Sequence, residues 1–383
     1  MLEEYHSGLK RILLFFFRAW GLDFLPKPKR KVLIFLKHSL YPIYAMYGVF
    51  CELWHLIYQM EDFSDLIDVA FSITLAIGMF QGVLIYLVII VGNRGKIMEI
   101  FEFFEQLIKT HDPTMREIRR RNFEVSMRTS FICAKYFLSA NLLSWTTITI
   151  FNTIRTNFTG PMMYHIPGLP TGSVFFYPIN LIHQTIMFFQ GYAIIMFSDV
   201  TIMITIMCCQ AELEAIAEFI SHLNDSDHPK EDATEVLRKI YSIHMILSVY
   251  TKKIAGAFWH IYLYKLLTIM MYLCSMFIVF QTEEEIPFVA VISVLVMASE
   301  VFILCFFGQI LSNSSEKMQN ALYMTKWYKM SNKNQKTLLM LMLRFQDPVK
   351  IETFAVGTIT IYTFVQICKA SISYAAFLYA VFK

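Results

Sequence analysis

Residues 354–382 read FAVGTITIYTFVQICKASISYAAFLYAVF, an apolar run whose one charge is Lys369. At 1.5 Å per residue, a helix of this length is more than enough to cross the ~30 Å hydrocarbon core of a bilayer. The run is too polar for a simple anchor, because Thr358, Thr360, Tyr362, Thr363, Gln366, Cys368, Ser371, Ser373 and Tyr374 crowd into it. Gln366, Lys369 and Ser373 recur at spacings of three and four, so one side is polar, while Phe364, Ile367, Ile372 and Leu378 supply apolar surface. Two readings follow: a helix lining an aqueous path, or a buried helix whose hydroxyls bond back to its own carbonyls.

The rest of the chain has the same solvent in view. Of 383 residues, 56% are hydrophobic and 16% charged, and mean hydropathy is +0.50, outside the balance of a soluble globular domain. An integral membrane protein is expected. The seven cysteines, including the adjacent Cys208 and Cys209 and also Cys133, Cys274, Cys305 and Cys368 inside apolar runs, form no secreted disulfide framework and read as small buried hydrophobes. The apolar patch at Ile12 to Phe17 is too short to span and carries no small-residue cleavage site, so no signal peptide is expected.

Residues 1–31 form a cytoplasmic interfacial segment in this reading, an amphipathic helix over Leu2 to Phe24 stopped by Gly21, Pro26 and Pro28. Residues 32–311 hold six spans: Val32 to Ile57, Leu66 to Val91, Thr129 to Ile154, Phe175 to Cys209, Ile254 to Phe280, and Pro287 to Leu311. Arg155 to Ser173, with Pro161, Pro167 and Pro170, is a structured loop. Residues 312–350 are a polar, partly helical segment, and residues 351–383 the seventh span. The fourth run continues into a polar helix, Gln210 to Leu223, and is longer than any bilayer requires.

Basic residues orient the spans. None occurs between Lys37 and Arg94 or between Arg155 and Lys230, whereas they collect in the N-terminal segment, Arg94 to Arg128, Lys230 to Lys253 and Lys317 to Lys350. The inside-positive bias therefore places the N-terminus in the cytoplasm and the C-terminus outside. The sequon at Asn157 falls in the expected outer loop, as a glycosylated asparagine must. A seven-span chain that starts inside is not a G-protein-coupled receptor. No Walker motif, zinc triad, metallopeptidase HExxH or credible catalytic set is present, so no enzyme, cofactor, metal or nucleic-acid partner is expected.

The long connections are all inner and helical, which suggests that subunits meet beyond the membrane. Trp327, Tyr328, Leu338, Leu339, Leu341, Met342 and Phe345 give residues 312–350 apolar faces, for a partner or for the chain's own loops. Asp199, Lys265 and Glu300 fall at middle or inner depth in their spans. Unpaired burial of any of them costs several kcal/mol by insertion scales, so a contact of Lys265 with Glu300 or Asp199 is expected.

The chain resembles the insect odorant receptors over its whole length, in particular a ligand-tuned subunit. The most specific text runs from Tyr362 through Gln366, Lys369, Ala370, Ser371, Ile372 and Ser373 to Leu378, similar to the family's C-terminal pattern of a lysine followed by a serine and an apolar tail. Ile372 stands where an aromatic is common. Gln366 also matches the sister family of gustatory receptors, but Ile361 replaces the threonine their signature places before the tyrosine. A gustatory-type channel, or a secondary transporter of a small apolar solute, is the alternative. The shared co-receptor subunit has an extended second inner loop that this chain lacks.

The resemblance implies an all-α channel of the plasma membrane of olfactory sensory neurons, gated by a volatile and assembled as a hetero-tetramer with the co-receptor. Monovalent cations would permeate, with calcium a candidate, and membrane lipid would surround the spans. The last helix would line the pore, with Ser373, Phe377 and Leu378 near its narrowest part because they mix one hydroxyl with apolar bulk beyond Lys369. Lys369 would point away from the axis or pair with an acid such as Glu300. The odorant would sit in the outer halves of spans two to six, where Phe71, Leu75, Met79, Trp145, Thr149, His183, Met187, Tyr272 and Met276 offer aromatic and thioether surface with a few polar groups. Ordinary helix packing uses the same residue types. Trp145 is the foremost single candidate, with a large flat face and one N–H donor.

Overall fold

Apolar runs longer than a bilayer fold here as helices that continue past it. The computed structural model describes residues 2–21, 31–59, 66–108, 113–162, 164–225, 233–282, 288–346, 348–353 and 357–382. Helix α1 is Leu2–Trp20, and α2 (Lys31–Trp54) ends in a π-helical turn, His55–Gln59. Helix α3 (Leu66–Ile85) passes through a π-helical segment, Tyr86–Asn93, into α4 (Arg94–Ile108). Four rods follow: α5 (Pro113–Arg155), α6 (Phe176–Asp225), α7 (Ala233–Thr282) and α8 (Phe288–Tyr323). A short 3₁₀ turn, Trp327–Lys329, leads to α9 (Asn332–Phe345), and α10 (Ile361–Phe382) closes the chain. Among the described residues, α3 with α4, α6, α7 and α8 are long and apolar enough to cross a membrane by composition alone.

Helix α6 is the axis of the bundle. Buried residues make up 83% of its most apolar window, against 39% for α8, because α5 and α8 pack along it and α3, α4, α7 and α1 close its remaining sides. A helix surrounded by others has no solvent face, and its sequence is accordingly apolar all round from Ile194 to Cys209 except for Ser198, Asp199, Thr201 and Thr205. Thr201 and Thr205 return their hydroxyls to the carbonyls of Phe197 and Thr201 at 2.9 and 3.1 Å, which satisfies them without a neighbour.

Helix α1 is amphipathic as its sequence predicts, but its apolar stripe meets protein. Leu9, Leu13 and Phe17, spaced by four, are buried, Phe16 stacks on Phe197 of α6 with centroids 4.2 Å apart, and Lys10 pairs with Glu105 of α4 at 3.0 Å. The polar N-terminal half of α5 and the tail of α6 are tied by Arg119 and Glu212, both buried.

The loop between α5 and α6 has little regular structure, so its backbone needs partners from side chains. Amides supply them. Asn180 donates to the carbonyls of Thr159 (2.8 Å) and Tyr164 (3.1 Å) and accepts from the N–H of Ile166 at 3.0 Å. Gln184 accepts from Met162 N–H at 2.8 Å and donates to Tyr164 O. Gln59 closes the far side, accepting from His165 N–H and donating to its carbonyl, at 2.8 and 2.7 Å. Asn157 is exposed on this loop in a left-handed conformation, φ 50°, that asparagine tolerates.

The last helix begins at Ile361, seven residues later than the apolar run suggests. Residues before it turn back as an antiparallel hairpin, β1 (Glu352–Thr353) on β2 (Gly357–Thr358), with Gly357 at φ +79°, where a β-carbon is disfavoured. The carbonyl of Ile359 lies against Gly308 of α8, so closely that a β-carbon there would overlap it. Gly308→Ala should therefore push the start of α10 off α8 and cost about 1–3 kcal/mol, read as a lower thermal midpoint of the detergent-purified protein; an unchanged midpoint refutes it.

Helix α9 divides its apolar residues between two faces. Leu338, Leu341 and Phe345 are buried against the chain's own α7 and α8, whereas Leu339, Met340 and Leu343, with Trp327 and Tyr328, are exposed. His244 of α7 lies on the buried side, its ring centroid 3.9 Å from that of Phe345, with neither ring nitrogen hydrogen-bonded. Burial, then the nearby charge of Arg344, lowers its pKa from 6.5 to about 4. Between those values an unfolded chain binds the proton and the folded one does not, so stability is complete above the unfolded value and falls as pH drops toward 4. The wild-type thermal midpoint should decline through this window more steeply than that of His244→Phe; parallel curves would refute it.

Candidate ligand cavity and last helix

Helices α3, α5, α6, α7 and α8 together line a partly open cavity of about 100 Å³. From α3 come Phe71, Thr74, Leu75, Gly78, Met79 and Gln81, one helical face by spacing; from α6, Met187, Phe188, Gly191, Tyr192 and Ile195. Helix α8 adds Ser293, Val296, Met297 and Glu300, with Ile148 of α5 and Tyr272 of α7 closing the sides. Met79 and Met187 belong also to a cluster with Cys51, Met162 and Tyr164 under the loop. Two flexible thioethers thus separate the cavity from its cap.

Phe71, Leu75, Met79, Met187 and Tyr272 converge on this cavity as the sequence suggests. Met276, one turn along α7 from Tyr272, packs beside it with Ala290, outside the lining. His183 lies nearer the cap. Its Nδ1 is 3.1 Å from the Tyr164 hydroxyl, and its ring meets Tyr44 and Tyr47 edge-on at 5.7 Å. Thr149 is half-buried on α5, away from the lining. Trp145 stands one layer out: it packs on Phe188 and Phe189, with centroids 6.3 and 5.2 Å away, and faces a separate groove of about 690 Å³ bounded by Trp20, Leu40, Tyr41 and Tyr44. Phe188, three residues from Gly191 on the same face of α6, takes the place expected of Trp145. The i, i+3, i+4 pattern from Ser293 to Glu300 was the available signal for the α8 wall.

The floor of the cavity is ionic. Lys265 of α7 forms a direct ion pair with Asp199 of α6, while Glu300 of α8 stands 3.8 Å from the same ammonium. All three are buried, and the one ammonium offsets the burial of the carboxylates. Glu300 thus borders the cavity and the triad at once.

Helix α10 packs on α7 and α8. Thr363, Ser371 and Ala375 are buried, and Cys274 of α7 meets the Ser371 carbonyl. Tyr362, Gln366, Lys369, Ser373 and Phe377 lie on the opposite side and are exposed, a stripe continuous along the helix by its three-and-four spacing. Lys369 therefore points away from the bundle and does not reach Glu300, whose carboxylate is turned toward Lys265. The side chain of Leu378 lies outside the described residues. Among the described residues, no cluster of His, Cys, Asp or Glu could hold a metal ion.

Comparison with known proteins accords with this architecture. The family model described as 7tm odorant receptor matches residues 33–372. Odorant receptor 10 of Aedes albopictus is 22% identical over 368 residues, covering 90% of this chain and 92% of that protein. Odorant receptor 67c of Drosophila melanogaster is 30% identical over 105 residues, 27% of this chain and 26% of that one. Among solved structures, the olfactory receptor OR5 of Machilis hrabei, alone and in complex with eugenol, superposes with a TM-score of 0.79 in both states over 99% of each chain, at 15% and 14% identity.

Proposed function

The chain belongs to the 7tm odorant receptor family, and on that premise we propose that it is the ligand-tuned subunit of an odorant-gated, non-selective cation channel assembled with a co-receptor. The observation that carries the reading is the partly open, largely apolar cavity beneath the loop. Burial of apolar area at roughly 25 cal/mol per Å² would hold a small volatile there, and a few polar groups would orient it.

Two surfaces suit assembly. The exposed stripe of α10 that carries Ser373 and Phe377 would face a central pore; Lys369 lies on the same stripe and would then turn toward that path, contrary to the expectation from sequence, and Leu378 is placed there by sequence alone. The exposed Trp327, Tyr328, Leu339, Met340 and Leu343 would meet neighbouring subunits beyond the membrane. In this arrangement the N-terminus is cytoplasmic and Asn157, with the loop, lies outside, open to glycosylation, in the plasma membrane of olfactory sensory neurons. The volatile, the co-receptor, permeant monovalent cations and lipid are then the partners.

Expression with and without the co-receptor, recording current against a panel of volatiles, tests the reading. Cation current is expected only from the pair, and Met79→Trp, which fills the cavity, should raise the half-maximal concentration more than about tenfold at equal surface density. Saturable solute uptake without evoked current would overturn it in favour of a transporter.

A further inference from the structure

Gly48 stands one layer behind the ligand cavity. It is buried on α2 and lies outside the lining, yet it meets two side chains that belong to it, Met79 of α3 and Met187 of α6. A β-carbon at position 48 would overlap the terminal methyl of Met79 and lie 3.0 Å from its sulfur and 3.1 Å from Cγ of Met187. The Met79 thioether therefore ends in a notch that exists only because position 48 has no side chain. Behind the notch the space is taken. Cys51, Met162 and Tyr164, with which both methionines pack, are buried, and close-packed interiors hold few voids. The free volume beside Met79 is the cavity itself, about 100 Å³. A methionine side chain has three rotatable bonds and can retreat that way, whereas the α2 backbone is held along α3.

Resting on the proposed odorant-receptor reading, we infer that Gly48 is a positioning residue that sets the largest volatile the cavity accepts without touching it. A methyl group at position 48 drives the Met79 thioether into the cavity, and removal of that thioether lets a ligand extend toward α2. A dry cavity of about 150 Å³ holds benzene, so at about 100 Å³ single methyl groups decide what fits. One methylene more or less in an apolar pocket is worth about 10- to 200-fold in discrimination. The effect is steric, so it is read along a homologous series and does not depend on the ligand's functional group.

The test applies homologous n-alkanols, 2-alkanones and n-alkyl acetates of about three to ten carbons, whose potency rises with each buried methylene until the chain no longer fits. The full chain is co-expressed with its co-receptor, and surface density is followed by epitope labelling. Gly48→Ala should shorten the most potent homologue of each responsive series by about one or two carbons, and the wild type's best homologue should lose about tenfold or more in potency relative to shorter members. Met79→Ala should lengthen the most potent homologue. Adding Gly48→Ala to Met79→Ala should then change the profile little, because the two positions share one contact. Alanine is a better helix former than glycine, so Gly48→Ala has no backbone reason to misfold; if it is lost from the surface, Met79→Ala should restore it, with the size profile of Met79→Ala alone. A Gly48→Ala profile that does not move, that falls equally for all homologues, or that moves equally in both backgrounds overturns the assignment and leaves the receptor reading intact. Surface loss that Met79→Ala does not restore, or a wild type that answers other volatiles but no member of these series, overturns it as well. No response to any volatile overturns the receptor reading, and the inference with it.

Discussion

Lys265→Met should deplete the receptor from the cell surface. The substitution removes the one ammonium between Asp199 and Glu300 and leaves two buried carboxylates facing each other across α6 and α8. Removing one partner of a buried ion pair costs about 3–5 kcal/mol, a large fraction of the stability of an ordinary domain. The remaining acids can escape by taking up protons, which limits the loss but does not restore the packing around Lys265. The triple variant Lys265→Met, Asp199→Asn, Glu300→Gln carries no charge at the site and should recover most of the surface population. Size-exclusion profiles of detergent extracts, with surface labelling in parallel, provide the measurement. A single variant as abundant as the parent would show that the triad is not structural.

The second large effect is expected beyond the apolar core, where α5 meets the tail of α6. Arg119 donates from Nε to both carboxylate oxygens of Glu212, at 3.0 and 3.1 Å, and from Nη2 to Oε1 at 2.6 Å. Its Nη1 reaches the carbonyl of Leu107 at the end of α4, so one side chain fastens three helices. Both partners are buried. Arg119→Ala should therefore cost about 3–5 kcal/mol, and Arg119→Lys should recover little, because an ammonium cannot reproduce the guanidinium's fork. The neighbouring Arg121, paired with Glu218 and itself largely exposed, is the internal control: Arg121→Ala should cost at most about 1 kcal/mol. Thermal midpoints of the purified variants measure the contrast, and equal losses at the two positions would refute it.

The Arg119, Arg120, Arg121 triplet shows where linear information ends. In sequence the three are one basic cluster. In the fold Arg119 is buried and Arg121 is exposed, because successive residues on a helix are turned by about 100°. Trp145 and Phe188 follow the same rule. The aromatic character of both helices was legible, but which ring reaches the cavity depended on helix rotation, and Phe188 faces it while Trp145 packs behind. Met276 and Thr149 miss the lining for the same reason, and Gln81 enters it as the continuation of the Phe71, Thr74, Gly78 face.

By itself, the sequence determined the long apolar helices, the charge asymmetry of their connections, the polar stripe of the last helix and the pairing of Lys265 with acids. Each of these rests on a solvation cost so large that any stable fold must meet it. The tertiary structure alone decided that α6 is the central rod, that α1 packs on protein, and that a hairpin precedes α10. It also decided that Glu300 borders a cavity as well as an ion pair. These depend on the rotation and axial offset of neighbouring helices, which are set by close packing such as the approach of Gly308 to Ile359, and packing energies are sums of many small contacts between residues far apart in the chain.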